Sequence, residues 1–241
     1  MKFDFSEIRY NGTDIRKHTN LPDYPTPELA EIVGIMLGDG CLYLDRRLKF
    51  HTVICFNKKE TQYLNYVKIL FESYFNPYKF SIQELENEFL LRNISKFIGK
   101  FLVSNGLKHG NKIKNKVEIP EWVFSNREFV VSLVKGIFDT DGSIYRKYAN
   151  YAQICFKFAG YPLIASVRES LMVLGYNPTK IIKGNSSIGG IDWKFYLSRQ
   201  EEVNRFFLEI KPANDKHLKR FKNIRMGTLG LPNLNHTGRD I

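Results

Sequence analysis

The sequence has few cysteines and no segment typical of membrane insertion or secretion. Cys41, Cys55 and Cys155 are an odd number without metal-ligand spacing, so we expect reduced thiols and neither disulfides nor a zinc site. No apolar run approaches the length that spans a bilayer, and the residues after Met1 lack the apolar core of a signal peptide. We therefore expect a protein of the cytoplasm or of an organellar matrix.

The sequence also lacks the short motifs of several large enzyme classes. It has no Walker A loop, dinucleotide fingerprint, Gly-x-Ser-x-Gly or His-Glu-x-x-His. Its histidines are scattered without ligand spacing, at His18, His51, His109, His217 and His236. These absences disfavour P-loop nucleotide hydrolysis, nucleotide-dependent redox chemistry, α/β-hydrolase catalysis and zinc peptidase chemistry.

What the chain does have is an excess of positive charge. Its 241 residues include 36 Lys and Arg against 25 Asp and Glu, a net charge of +11. Such an excess predicts a polyanionic partner, most simply nucleic acid. The chain is 43% apolar and 14% aromatic, which favours folded domains with real cores over a disordered basic protein.

A repeated helical pattern organises the chain. Residues 27–40 and 128–142 each predict a helix that ends in Asp-Gly, at Asp39-Gly40 and Asp141-Gly142. Small residues recur every fourth position and so share one helical face. Because a glycine in a helix costs about 1 kcal/mol relative to alanine, we expect these two smooth faces to pack closely on each other. Their residues are Ala30, Gly34 and Gly38 in the first copy and Ser132, Gly136 and Thr140 in the second.

The ends of these helices predict a metal site. Asp39 and Asp141 stand where the helix dipole disfavours carboxylates. If the small-residue faces pack together, the two acids meet among unpaired helix carbonyls. Hard divalent cations prefer such oxygen ligands, and the carbonyls of Gly38 and Thr140 are further candidate ligands. An Asp-Gly turn signal would explain one copy, but two copies at matching places favour the metal site.

The pattern resembles the motif of the LAGLIDADG homing endonucleases, in the single-chain form with two motifs. The two copies are Ile32-Val33-Gly34-Ile35-Met36-Leu37-Gly38-Asp39-Gly40 and Val134-Lys135-Gly136-Ile137-Phe138-Asp139-Thr140-Asp141-Gly142. In the family the eighth position is the metal-binding acid, and both copies keep it. The sixth position departs from the family pattern in the first copy, where Leu37 stands in place of the acid that the second copy keeps as Asp139.

The rest of each copy predicts the same order of elements, αββαββα, an α+β fold. The resemblance implies a pseudo-twofold duplicated molecule with two antiparallel, saddle-shaped sheets flanked by helices. We expect hairpins at 41–45/48–56, 79–92, 143–148/151–158 and 180–198, and further helices at 59–73, 93–105, 161–174 and 200–210. The domains are an N-terminal arm (1–25), a first repeat (26–116), a linker (117–124), a second repeat (125–225) and a loose C-terminal tail (226–241).

One face of each predicted sheet is polar and basic, which suits DNA phosphates and base edges. The first hairpin, for example, alternates Phe50, Thr52, Ile54 and Phe56 with the more polar set that includes His51 and Asn57. In the arm, Arg9, Arg16 and Lys17 could also touch phosphate. The candidate DNA contacts on the sheets are Arg46, Lys49, His51, Lys79, Gln83, Arg146, Lys147, Gln153, Lys180, Lys183 and Lys194.

The resemblance also implies roles near the cut. A polar residue after the second strand and a lysine after the last helix organise water at the scissile phosphates in the family. By alignment the first role falls on Asn57 and Lys157 and the second on Lys112 and Lys216, with Lys114 and Lys219 as close rivals. The cofactor is expected to be Mg²⁺, as two or more ions, with Mn²⁺ as a substitute and with Ca²⁺ supporting binding but no cleavage.

Sequence reasoning therefore predicts a monomeric, metal-dependent endonuclease that makes a double-strand break with 3′ overhangs in a long, non-palindromic DNA target, in the service of intron homing. Two alternatives stay open: an RNA-splicing maturase acting on its own intron RNA, alone or with both roles, and a non-catalytic DNA-binding regulator. Intact acids in both copies favour cleavage. The start at Met1 without a nucleophile and the end in Arg-Asp-Ile argue against an intein.

Overall fold

A computed structural model describes residues 21–149, 151–185 and 189–226 of the chain. The arm residues Arg9, Arg16 and Lys17 lie outside the described residues, as does nearly all of the predicted tail. Each half contributes helices and a four-stranded sheet in the predicted order. The elements of the first half are α1 (Pro27–Leu37), β1 (Gly40–Leu44), β2 (Phe50–Asn57), α2 (Thr61–Tyr74), β3 (Ser81–Glu84), β4 (Glu88–Ile94) and α3 (Lys96–Ser104).

The second half repeats this order after a short 3-10 helix at Glu121–Ser125. It ends with one helix more than the sequence patterns predict. Its elements are α4 (Arg127–Asp141), β5 (Gly142–Tyr148), β6 (Tyr151–Phe158), α5 (Tyr161–Val173), β7 (Ile182–Asn185), β8 (Ile191–Leu197), α6 (Gln200–Glu209) and α7 (Asp215–Met226).

The two sheets have the same antiparallel topology, with strand orders β1-β2-β4-β3 and β5-β6-β8-β7. Ile54 and Ile154 occupy equivalent central positions and are fully buried, which confirms the duplication of an α+β unit. Along β2 and β6, Phe50, Phe56 and Phe156 belong to the hydrophobic core, but His51 and Gln153 on the opposite faces are buried as well, so the predicted alternation appears in polarity and not in exposure. The opposite face of each sheet is the more polar one.

Helix α1 begins where its sequence predicts. Thr26 caps it, its side-chain oxygen accepting a hydrogen bond from Leu29 N at 3.2 Å, and Pro27 occupies the first helical position. The helix ends earlier than expected, at Leu37, so that Asp39 lies in the following turn. Gly38 N donates to Gly34 O and closes the last turn at 3.1 Å.

The start of α4 corrects one detail of the sequence interpretation. The residues Ser125-Asn126-Arg127-Glu128 have the pattern of a capping box, which predicts Ser125 as the capping residue. In the structure Asn126 caps the helix, and its side chain accepts from Glu128 N at 2.9 Å. Ser125 instead ends the 3-10 helix and donates to Trp122 O at 2.6 Å. Because Ser125 belongs to the 3-10 helix, the next polar residue, Asn126, caps α4.

Helices α1 and α4 cross with their backbones in contact at two glycines. A Cβ on Gly34 would overlap Leu133 O, and a Cβ on Gly136 would overlap Glu31 O and lie 2.9 Å from Ile35 N. These carbonyl and amide groups belong to helical backbone, which cannot yield without moving a whole helix. The glycines thus set the separation of the two halves.

Helix α7 is the element that sequence reasoning missed, since Lys216 was expected to follow the last helix rather than to begin one. It packs through a narrow face, where His217 is fully buried and Phe221 stacks on Phe207 with a centroid distance of 4.1 Å. Its remaining surface is strongly basic, so its average hydropathy hides its amphipathic character. Within the described residues, no helix is both long and apolar enough to span a membrane.

Candidate active site

The two acids lie where the ends of α1 and α4 meet. Asp39 occupies the turn after α1 and is exposed, whereas Asp141 is the last residue of α4 and is half-buried. A Cβ on Gly38 would meet Thr140 Oγ1 and would approach Asp141 Oδ2 to 2.5 Å. The end of α1 therefore touches the residue pair that ends α4, and both carboxylates belong to one small region.

The surroundings of the two acids disfavour their ionised forms. Burial raises the pKa of Asp141 to about 7, and the negative charge of Asp39 contributes to the rise. Although Asp39 is exposed, the protein around its carboxyl group reduces the solvation of that group and raises its pKa, while the Lys216 cation acts in the opposite direction. Asp141 Oδ2 is buried without a hydrogen-bond partner among the described residues. An unpartnered carboxylate oxygen of this kind is stabilised by any cation that reaches it.

A lysine binds the carbonyl groups at the C-terminal end of α1. Lys112 Nζ donates to Leu37 O at 3.0 Å and also to Gly38 O. Burial lowers the pKa of Lys112, while Asp141 and Asp39 act in the opposite direction. A cavity of about 140 Å³ lies beside it, between Lys112 and Asp141. The helix carbonyls and acids thus already attract one cationic group.

The second lysine, Lys216, is held differently. Its Nζ lies 2.8 Å from Glu60 Oε1, at the start of α2 in the other half. The neighbouring Asn214 donates through Nδ2 to the same Glu60 oxygen at 2.8 Å and to Asp139 O at 3.0 Å. Lys216 is also the strongest of the charges that lower the pKa of Asp39, so it lies on the Asp39 side of the site.

The other two residues assigned near the cut lie further along the sheets. Asn57 ends β2, is exposed, and accepts a hydrogen bond from Lys59 N at 3.0 Å. Lys157 lies within β6, is exposed, and pairs with Asp192 at 3.4 Å. The contacts of the described residues do not join either side chain to the acids.

The candidate DNA contacts divide into free and engaged side chains. Two are buried: His51 lies 3.1 Å from Asp45 Oδ2 and stacks on Tyr43, and Gln153 accepts from Tyr145 OH at 2.6 Å. Lys79 is exposed but lies 3.3 Å from Glu72, and Arg146 donates to Asn223 O at 3.3 Å. Gln83 is exposed but accepts a hydrogen bond from Arg92. Lys194 is half-buried, and the remaining candidates are exposed: Arg46, Lys49, Lys147, Lys180 and Lys183.

Sequence reasoning missed Glu60, Asn214 and the role of Asp139. Asp139 is fully buried and accepts hydrogen bonds from Ala213 N at 2.8 Å and Asn214 N at 3.0 Å. The available signal was the asymmetry of the motif itself, in which an acid stands in the second copy where Leu37 stands in the first. No comparable signal pointed to Glu60 or Asn214.

The donor set fits a hard divalent cation. No three of the His, Cys, Asp and Glu side chains in the described ranges cluster as a ready metal cage. The site instead offers two carboxylates and the carbonyls at a helix end, which leaves coordination positions for water and a phosphate. Mg²⁺ is bound in this way, through one or two carboxylates plus waters and substrate phosphate oxygens.

Comparisons of the sequence find two similar curated proteins. No family model matches the sequence. Two curated proteins of Methanocaldococcus jannaschii are similar: a glutamine–fructose-6-phosphate aminotransferase, 33% identical over 145 residues, and the uncharacterized protein MJ0314, 24% identical over 160 residues. The matches take in 58% and 60% of this chain but only 12% and 56% of those proteins. The chain thus spans a small part of the first and about half of the second.

Solved structures match more completely. The homing endonuclease I-DmoI in complex with DNA and Mn is 18% identical, with a TM-score of 0.57 over 76% of this chain and 96% of that one. The meganuclease I-SmaMI bound to DNA is 13% identical, with a TM-score of 0.51 over 88% and 92%. Full-length DUF199/WhiA from Thermatoga maritima is 14% identical, with a TM-score of 0.52 over 90% and 66%. This chain therefore has the duplicated α+β fold of the LAGLIDADG homing endonucleases.

Proposed function

We propose that this chain is a metal-dependent, site-specific DNA endonuclease, a single-chain LAGLIDADG homing endonuclease that breaks both strands of its target. The observation that carries the proposal is the meeting of Asp39 and Asp141 at two adjoining helix ends, with Asp141 Oδ2 buried and unpartnered. A protein that only binds nucleic acid gains nothing from two crowded carboxylates, whereas metal-assisted phosphodiester hydrolysis uses such acids to hold the ion. The fold shared with DNA-bound homing endonucleases supports the same reading.

The metal in this proposal is Mg²⁺, as two or more ions, with Mn²⁺ as a substitute. Asp39 and Asp141 would hold it, assisted by the carbonyl of Thr140 and by that of Gly38, from which the ion would displace the ammonium group of Lys112. When bound, it would polarise the phosphate, activate water and stabilise the leaving oxygen. Ca²⁺, which has a longer bond length and a looser geometry, is expected to support DNA binding without cleavage.

The chain's own residues then bind and orient the target. Lys112 and Lys216 place positive charge beside the acids, and Asn57 and Lys157 are assigned to ordering water near the phosphates. The repeats, residues 26–116 and 125–225, each apply the polar face of one sheet to half of the duplex. Since the halves differ in sequence, the target is expected to be long and non-palindromic, with the uncontacted central base pairs contributing through their deformability.

The two acids belong to two different repeats, so each strand has an equivalent acid. We therefore propose that a monomer cuts both strands, and that the cut leaves 3′ overhangs, as the family resemblance implies. An intron-encoded or free-standing gene would use such a break for homing. RNA splicing activity and purely regulatory DNA binding are the outcomes against which the proposal is tested.

The test uses the intron-less allele of the host gene, as a duplex, with Mg²⁺ or Ca²⁺ present. The parent protein is expected to make one double-strand cut in Mg²⁺ and to bind without cutting in Ca²⁺. Asp39→Asn and Asp141→Asn are each expected to abolish the double-strand cut, because each removes a ligand charge, while binding in Ca²⁺ stays close to that of the parent. Glu118→Gln, the same change at an exposed acid outside the site, serves as the matched control and should cut normally.

Vigorous cutting by either acid variant would refute the assignment of the site. Binding without any cut by the parent in Mg²⁺ would favour the regulator. Preferential binding of the intron RNA would favour the maturase.

A further inference from the structure

Glu60 is a first-half residue that holds a segment of the second half. It immediately precedes α2, and its Oε2 accepts a hydrogen bond from Asn57 N at 3.1 Å. Its Oε1 receives Asn214 Nδ2 and Lys216 Nζ, each at 2.8 Å. The side chain of Glu60 is 15% exposed, so these three donors satisfy a carboxylate that water reaches only partly.

The segment that carries Lys216 is fixed from its other side as well. Asp139 receives the backbone N–H groups of Ala213 and Asn214, and Asn214 returns a hydrogen bond from Nδ2 to Asp139 O. Asn214 Oδ1 then accepts from Lys216 N at 3.2 Å at the start of α7. Asp139 and Asn214 are fully buried. The backbone of Lys216 is therefore anchored to α4, and its ammonium group is anchored to Glu60.

The first half has no counterpart of this arrangement. Leu37 stands at the motif position of Asp139, and Lys112 itself occupies the helix end by donating to Leu37 O and Gly38 O. Glu60 and Gly160 are the residues that precede the equivalent helices α2 and α5. Gly160 has no side chain, so the second half cannot offer Lys112 a carboxylate from that place.

The two lysines also face different acids. The Lys216 cation is the strongest charge that lowers the pKa of Asp39, and Lys112 contributes less there. At Asp141 the order is reversed, because the Lys112 cation lowers the pKa of that acid more than the Lys216 cation does. Each lysine thus serves mainly the acid of the opposite half, and only Lys216 depends on a carboxylate partner for its position.

We propose that Glu60 is a positioning residue that holds Lys216 at the Asp39 side of the site, so that cleavage of one DNA strand depends on Glu60 and cleavage of the other does not. The inference rests on the proposed endonuclease function. Glu60 need not touch DNA or metal to act, because it fixes the lysine through one ion pair and through Asn214. Removing a residue that orients a functional group typically costs 10 to 100-fold in activity.

The test measures the two strand cuts separately. The probe is a supercoiled plasmid that carries a site selected for cleavage by the parent protein, together with the same site as a duplex labelled on each strand in turn. Glu60→Gln is isosteric, removes the charge and replaces one of the two acceptor oxygens with an amide donor. It is expected to slow one strand by about tenfold or more and to leave the other close to the parent rate, so that nicked plasmid accumulates.

Glu84→Gln is the control, because Glu84 also forms an ion pair with a lysine, Lys58, at 2.7 Å, but it is exposed and lies on β3. It should leave the ratio of the two strand rates unchanged. Lys216→Ala identifies the strand concerned, and adding Glu60→Gln to it should slow that strand no further. Glu60→Asp, which keeps the charge but is shorter, should give the same strand bias in smaller measure.

A general structural role would slow both strands together and would lower the melting temperature in parallel. Equal slowing of both strands by Glu60→Gln and Glu60→Asp, or no slowing at all, would overturn the inference. If the parent protein selects no cleavable site, the endonuclease proposal itself fails. The two failures are therefore distinguishable.

Discussion

Single residues in this chain have environments that their sequence neighbours do not reveal. His217 stands in a basic run, between Lys216 and Leu218, yet its side chain is fully buried and packs against Phe138 in a tilted arrangement, with a centroid distance of 4.4 Å. Neither ring nitrogen has a hydrogen-bond partner among the described residues. Burial, with a contribution from the adjacent Lys216 cation, lowers the pKa of His217 to about 3. The folded protein therefore keeps this imidazole neutral.

This neutral histidine predicts an acid sensitivity. The unfolded chain protonates His217 below its ordinary pKa of 6.5, whereas the folded chain does not do so until about pH 3. In this window the unfolded state binds a proton at His217 that the folded state does not, so the contribution of this residue to stability falls as the pH drops from about 6.5 towards 3, by up to about 1.4 kcal/mol per pH unit. Burial raises the pKa of Asp139 and of Asp141 to about 7, and these acids act in the opposite direction over the same window. His217→Leu, which has a similar volume, should remove the histidine contribution, so that stability measured by urea unfolding becomes less sensitive to acid than in the parent.

The control is a histidine that is not fully enclosed in the core. His109 lies at an exposed position near Phe50, and His109→Leu should leave the slope of stability against pH as it is in the parent. An unchanged slope in the His217 variant would contradict the burial argument.

At the scale of elements, the contact between α1 and α4 decides whether a site exists. Its two glycines bring the helix backbones together, and a polar cluster closes the contact near Glu31. Tyr66 OH donates to Glu31 Oε1 at 2.7 Å, and Lys135 Nζ lies 3.1 Å from the same carboxylate. Removing one partner of such a half-buried pair costs more than the pair contributes, so the cluster favours one register between the helices. That register sets where Asp39 and Asp141 meet.

The glycine contact predicts a loss of both stability and activity. Gly34→Ala places a methyl group against the carbonyl of Leu133, so the helices must separate. Overpacking of this kind costs about 1–3 kcal/mol, which outweighs the gain of about 1 kcal/mol in helix propensity. We expect a net destabilisation in urea unfolding and slower cleavage of both strands, because both acids move.

Ser132→Ala is the matched control within the same pattern. Ser132 belongs to the small-residue face of α4 but is only half-buried, and replacing it should change stability by no more than about 0.5 kcal/mol. If Gly34→Ala were as stable as the parent, the close packing would not be what requires glycine at this position.

At the scale of the whole molecule, the positive charge is placed by the geometry of the sheets. The charge of +11 is not spread evenly, since exposed lysines stand at the ends of the hairpins, as Lys49 and Lys147 do. Phosphate contacts release counterions, so DNA affinity should fall steeply with salt. Under the proposed function, this basic surface would position the duplex and the polar side chains of the sheets would read it.

This distribution predicts which lysines contribute to the salt dependence. Lys49→Ala and Lys147→Ala should each lower the slope of log affinity against log salt by about 1, since each removes one phosphate contact. The measurement is DNA binding in Ca²⁺ over a series of salt concentrations. Lys96→Ala is the control, because Lys96 is exposed at the start of α3, in the helical layer behind the sheet. An equal slope change for all three variants would mean that overall charge, and not the sheet face, carries the binding.

Much of this architecture followed from local patterns. The spacing of small residues, the alternation along β2 and β6 and the repeated Asp-Gly pairs are short-range features, and they predicted the order αββαββα and strand positions within about two residues. Short-range reasoning failed where packing decided the outcome, as at α7, whose basic composition hid a narrow buried face. It also did not show that His51 and Gln153 are engaged with protein partners.

The sequence by itself determined that two like halves each place an acid at or just after the end of a helix, because that statement needs only periodicity and a repeat. Only the tertiary structure decided which groups surround those acids. Glu60 and Asn214 are 154 residues apart and meet only because the halves pack through Gly34 and Gly136. The assignment of Lys216 to Asp39, and the different holding of the two lysines, follow from that packing. Contacts between distant residues depend on how whole elements fit together, and no local pattern encodes them.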